Sequence, residues 1–97
     1  MAETPTARSR DCVIVGLKPI MNYVVACMTI FNAGNEGVSL KARGRNISKA
    51  VDVVEMLRRV FLKDLIVEKI DLGTAVHTIP SGREASVSTI EIRLTQP

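Results

Sequence analysis

The 97-residue sequence contains no Trp, one Tyr, two Phe, one His and two Cys, and each scarcity closes off a class of chemistry. A lone imidazole, His77, without HExxH spacing leaves a metal or general-base site without its usual ligands. Cys12 and Cys27 stand singly among apolar neighbours, outside any CxxC pair, and read as reduced, buried thiols. The longest apolar run, residues 24–28, falls far short of the roughly 20 residues that cross a bilayer. Residues 1–10 carry no apolar stretch of the kind a secretory signal needs. The segment Gly16-Leu17-Lys18 lacks the GxxxxGK(S/T) pattern of a phosphate-cradling loop. The expectation is a cytoplasmic protein with no membrane partner, no cofactor, no metal, no small-molecule substrate and no catalysis.

What the sequence does hold is a core and a basic excess. Apolar residues make up 46% of the chain and charged ones 24%, enough for one ordinary domain without staples. Residues 1–10 read as a flexible tail and residues 11–97 as the domain. The net charge of +3 is unevenly spread: residues 1–49 hold seven cations against three anions, and residues 50–97 six against seven. Lys41, Arg43, Arg45 and Lys49 follow one another with no anion between them, which points to a polyanionic partner.

Periodicity gives the element order. Residues 12–15 form a short apolar run ended by Gly16, a strand signal. Pro19 suits the start of a helix, and Ile20, Val24, Cys27, Met28 and Phe31 continue it until Gly34. Residues 38–43 alternate apolar with polar, so Lys41 and Arg43 share the solvent side of a second strand. After Gly44-Arg45-Asn46 comes a second helix carrying Ile47, Ala50, Val51, Val54, Leu57 and Phe61, with Asn46 or Ser48 available as cap. Residues 65–79 and 85–94 read as two strands joined through Pro80-Ser81-Gly82-Arg83. Ile66, Ile70, Leu72, Ile90, Ile92 and Leu94 are their core-type residues, and Glu68 and Asp71 should fall on opposite faces. Residues 74–88 hold small polar side chains with little to bury, so this hairpin should protrude as an arm. The order β-α-β-α-β-β predicts an α+β, two-layer sandwich with a mixed sheet and helices on one face.

Candidate binding residues cluster at the junctions. Lys18 places a cation beside a helix N-terminus, where backbone donors also favour phosphate. Arg43 and Arg45 flank a glycine at a strand-to-helix turn, a place where two guanidinium forks can meet phosphate oxygens. Tyr23, the only Tyr, offers a ring able to stack on an exposed RNA base, beside Asn22, or serves as a partly buried packing residue. Lys41 and Lys49 complete the basic run.

Three blocks then carry a resemblance: Gly16-Leu17-Lys18-Pro19-Ile20-Met21-Asn22-Tyr23-Val24, Lys41-Ala42-Arg43-Gly44-Arg45-Asn46-Ile47-Ser48-Lys49-Ala50-Val51-Asp52, and Val87-Ser88-Thr89-Ile90-Glu91-Ile92. Together they resemble the signature blocks of Alba, an archaeal chromatin protein family, from about residue 11 to 94, the middle block being the most specific. The resemblance implies a fold similar to the C-terminal domain of a bacterial translation initiation factor, with a protruding β-hairpin. It implies a dimer, homodimeric or paired with a paralogue, that binds double-stranded DNA, and RNA, without sequence specificity and condenses it on the chromosome. The alternative it leaves is an RNA-binding subunit of an RNA-processing ribonucleoprotein. Its nucleic-acid contacts map to Lys18, Lys41, Arg43, Arg45 and, on the arm, Arg83, and a contact between dimers maps to Phe61. Two positions depart from the family pattern by losing a cation: Leu17, where many members carry an acetylatable lysine, and Ser86.

Overall fold

A computed structural model describes residues 11–97, and the expected tail, residues 1–10, lies outside the described residues. The elements follow the predicted order: β1 (Cys12–Ile14), α1 (Ile20–Asn32), β2 (Gly37–Arg43), α2 (Asn46–Met56), β3 (Ile66–Thr78) and β4 (Glu84–Thr95). They form one four-stranded sheet in the order β1-β2-β4-β3, with β1 and β2 parallel and the other neighbours antiparallel. Both helices lie on the same face.

The alternation in β2 decides which face that is. Val38, Leu40 and Ala42 stand opposite Leu94, Ile92 and Ile90, and all six are buried beneath Val24, Cys27, Phe31, Ala50, Val53 and Leu57 of the helices. Directly paired residues share a face, so Ser39, Lys41 and Arg43 share the open face with Arg93, Glu91 and Thr89. Cys12 lies on that open face opposite Ser39 and is half-buried rather than part of the core.

Helix boundaries follow local chemistry with small departures. Pro19 precedes the first helical residue of α1 instead of sitting inside its first turn, and its carbonyl accepts from Asn22 N–H at 3.0 Å. At the other end Gly34, with φ +95°, donates to Phe31 O at 3.0 Å and stops the helix. Neither Asn46 nor Ser48 caps α2, which Arg45 precedes without a side-chain cap. The second helix reaches Phe61 as read from sequence, but its last stretch, Leu57–Phe61, is a widened π turn closed by Leu62 N–H on Leu57 O.

Strand β3 departs from its apolar pattern in two ways. A bulge between Val67 and Lys69 adds one residue, so Val67 faces the core opposite Leu94 while Ile66, opposite Thr95, does not. Because of that shift Glu68 reaches Arg93 Nε at 3.9 Å on the open face, the face Asp71 also occupies, so the two carboxylates do not lie on opposite faces. Ile70 and Leu72, read from sequence as core, sit 56% and 78% exposed. Their pattern is right for the helix side, but β3 is the sheet edge and the helices do not cover it.

The β3–β4 ribbon outruns the rest of the sheet. Arg43 opposite Thr89 is the last β2–β4 pair, yet β3 and β4 continue through five further pairs, from Thr74 opposite Ser88 to Thr78 opposite Glu84. That is an arm of about 17 Å at strand rise, closed by a turn in which Gly82 has φ +90°.

Candidate functional site

Strand direction assembles the site. Parallel β1 and β2 each deliver the chain to a helix at the same end of the sheet, so the Gly16-Leu17-Lys18 loop and the Arg43-Gly44-Arg45 turn are neighbours, joined by Val15 N–H on Lys41 O at 2.8 Å. Strand β4 runs the opposite way, so the arm projects from this same end and carries Arg83 beyond it.

Gly44 organises the turn. Its φ of +60° lies in the left-handed region that a side chain disfavours. Its N–H donates to Ser88 O at 2.9 Å, which ties the turn to the root of the arm, and its carbonyl accepts from Ile47 N–H at 3.1 Å, which starts α2. Arg43 and Arg45 are exposed on either side. Among the described residues, Lys18, Lys41, Arg43, Arg45 and Arg83 form no ion pair.

The predicted residues divide by environment. Lys18 and Asn22 are exposed beside the loop and line one shallow depression. Lys41, Arg43 and Asn46 line another, together with Asp71 and Glu91. Lys41 stands directly opposite Glu91, which stands opposite Asp71; the open face is thus mixed in charge, and the cationic excess lies at its rim. Asn46, read from sequence only as a cap, belongs to this rim, and its place next to Arg45 was the available signal.

Tyr23 and Lys49 are committed elsewhere. Tyr23 is only 9% exposed, and its hydroxyl accepts from Gly16 N–H at 2.9 Å and Lys18 N–H at 3.1 Å. Lys49 Nζ donates to Gly16 O at 2.8 Å and Lys18 O at 2.9 Å. Phe61 is partly exposed at the far end of α2 and its π turn, about 22 Å along the helix from Asn46, and is therefore not brought to this site. His77 is exposed on the arm opposite Ala85. Among the described residues no group of three or more His, Cys, Asp or Glu side chains could hold a metal, and no helix is long and apolar enough to cross a membrane. Burial raises both thiols, Cys27 to about 12; at Cys12 the nearby Lys41 charge partly opposes the rise.

The family model described as Alba matches residues 12–74, which run from β1 through the root of the arm. The chain belongs to the Alba family. It is 46% identical over 87 residues to the DNA/RNA-binding protein Alba of Methanocella arvoryzae, with 90% of this chain and 91% of that protein covered. Among solved structures, Alba from Thermoplasma volcanium superposes with a TM-score of 0.82 at 45% identity, over 88% of this chain and 99% of the other. ALBA1 from Trypanosoma brucei does so with a TM-score of 0.71 at 30% identity, over 90% and 69% respectively. The α+β arrangement with two helices on a mixed four-stranded sheet is thus the Alba fold. Arg83 lies beyond the segment matched by the family model, so its place in the site rests on the arm's own geometry.

Proposed function

We propose that the protein is a dimer that coats double-stranded DNA, and also RNA, without sequence specificity, as a chromosome-associated architectural protein. One observation carries this reading: Lys18, Arg43 and Arg45, exposed on adjoining loops, share the end of the sheet from which the arm bearing Arg83 extends. Cations set along a rim and an arm suit a phosphate backbone, whose affinity comes from neutralised phosphates and released counterions. The name of the Methanocella relative, DNA/RNA-binding protein Alba, agrees with it. Lys41 and Asn22 flank the rim and join the contact set, and Phe61, at the opposite end, is left for contacts between neighbouring dimers.

Dimer formation has its own support. Ile70 and Leu72 on β3 are apolar and uncovered, and a second copy would bury them and set two arms across a two-fold axis. The losses of charge at Leu17 and Ser86 make a heterodimer with a more basic paralogue the natural variant of this arrangement.

The test is duplex affinity over a salt series. If a dimer neutralises about six phosphates, log affinity falls with log salt at a slope near −5 on B-DNA. Arg43→Ala and Arg45→Ala each weaken every duplex sequence about equally and flatten that slope by about 1 for each phosphate no longer neutralised. A salt-independent affinity, or a loss confined to one sequence, would remove this reading. The relative's name also mentions RNA, which favours the second reading, a subunit of an RNA-processing ribonucleoprotein. Preference for folded RNA over matched duplex DNA by more than about a hundredfold (2.7 kcal/mol) selects it.

A further inference from the structure

The loop that presents Lys18 is gripped from both sides. Its residues 16–18 belong to no strand or helix, yet the backbone N–H and C=O of Gly16 and of Lys18 are all engaged by two side chains. Tyr23 takes both N–H groups on one oxygen, and Lys49 Nζ gives to both carbonyls. The donors lie toward α1 and the acceptors toward α2, so the residue between them, Leu17, is turned outward and is 88% exposed.

We infer that Tyr23 and Lys49 are positioning residues, which lock the Gly16–Lys18 loop so that Lys18 stands at a fixed distance from Arg43 and Arg45. The inference rests on the nucleic-acid reading above and assigns these two side chains a role different from direct contact. Three features favour it over stacking by Tyr23 and phosphate contact by Lys49. The Tyr23 ring is buried, and its hydroxyl already accepts two hydrogen bonds. The Lys49 ammonium spends two of its three donors on the loop. Lys49 also sits on α2 four residues after Arg45, so its grip couples the two loops that carry the cations. Ordering a binding loop before the ligand arrives lowers the entropy lost on binding.

The same geometry changes the role of the loop backbone. The N–H groups of Gly16 and Lys18 face Tyr23, so Lys18 meets phosphate with its side chain alone.

The experiment measures duplex-DNA affinity and amide hydrogen exchange for Lys18→Ala, Tyr23→Phe, Lys49→Met and the double variant Lys18→Ala/Lys49→Met. Tyr23→Phe keeps the ring and the charge, so it remains folded and removes only the two accepted hydrogen bonds. The expected result is faster exchange at the Gly16 and Lys18 amides in Tyr23→Phe and Lys49→Met, with duplex affinity down about three- to tenfold, the size of an ordinary hydrogen bond. In the Lys18→Ala background, Lys49→Met costs less than about twofold more, because it acts through Lys18. Additive losses in the double variant mean that Lys49 meets phosphate itself and overturn the inference, as does unchanged exchange in Tyr23→Phe. Should Lys18→Ala leave affinity unchanged while both grip variants speed exchange, the contact assigned to Lys18 falls and the grip alone stands.

Discussion

Arg93 crosses the open face of the sheet to Asp11, Nη1 to Oδ2 at 3.0 Å, bridging 82 positions of sequence. The same nitrogen donates to Ser39 Oγ at 3.0 Å, so one guanidinium ties β4 to β2 and to the residue that enters β1. The charge of Arg93 is spent internally, unlike those of Arg43 and Arg45. Arg93→Met should therefore lower stability by about 1 kcal/mol, the low end for a hydrogen-bonded charge because both partners are part-exposed. It should leave the salt slope of duplex binding unchanged. Urea melts and a salt series check the two halves, and a flattened slope would make Arg93 a phosphate contact.

Gly37 lies beneath that guanidinium. A Cβ there would stand 2.7 Å from Arg93 Nη2 and 2.9 Å from the Leu94 carbonyl oxygen. The arginine can swing away, but the β4 backbone paired with β2 cannot. Gly37→Ala is expected to cost about 1–3 kcal/mol as an overpacked contact. Arg93→Met/Gly37→Ala should recover little of that cost; full recovery in the double variant would show the side chain to be the obstacle.

At Gly44 the constraint is conformational. With φ +60° and Val87 Cγ2 3.2 Å from an added Cβ, Gly44→Ala should lose about 1–2 kcal/mol through the left-handed backbone. Gly44→Asn should lose less, because asparagine tolerates that region better. Thermal melts rank the two. Equal losses would mean that contact with Val87, common to both, outweighs φ.

These side-chain and backbone details mark where pattern reading stops. The alternation of residues 38–43 was enough to put Lys41 and Arg43 on the open face, because a half-buried strand has only two sides. The richness in small polar residues from Thr74 to Ser88 was enough for the arm, since it leaves little to bury. Edge position is different: Ile70 and Leu72 have a core pattern, and only the strand order β1-β2-β4-β3 leaves them uncovered. The Val67/Lys69 bulge shifted Ile66 and Glu68 without any glycine or proline to announce it. The engagements of Tyr23 and Lys49 with loop backbone atoms, 5 to 33 positions away, leave no trace in spacing, where a lysine in a basic run looks like its neighbours.

Cys27 predicts a pH dependence. It is fully buried, and burial pushes its thiol from an ordinary value near 9 up to about 12. Between those values the unfolded chain has lost the proton and the folded chain holds it, so stability falls as pH rises. The contribution is complete below about pH 9 and declines by about 1.4 kcal/mol per pH unit toward pH 12. Cys27→Ala starts from lower stability because of the cavity it leaves, but its alkaline decline should be shallower by that amount. Parallel declines in urea melts from pH 8 to 10.5 would show that the thiol ionises in place.

The uncovered face of β3 bears on assembly. Leu72, at 78% exposed, lies on the helix side of the edge strand next to Ile70, and a lone copy leaves both in water. A carboxylate at this position costs the monomer little, since the side chain touches solvent already. Inside a two-fold interface it would be buried against the second copy, where an unpaired charge is expensive. Leu72→Asp should therefore keep the monomer's far-ultraviolet circular dichroism while halving the mass measured by light scattering at micromolar concentration. Duplex affinity should fall with it, because each arm loses the raised local concentration that the first contact provides for the second. A wild-type protein that already scatters as a monomer would end the two-armed arrangement, and a Leu72→Asp variant that still scatters as a dimer would move the interface away from β3.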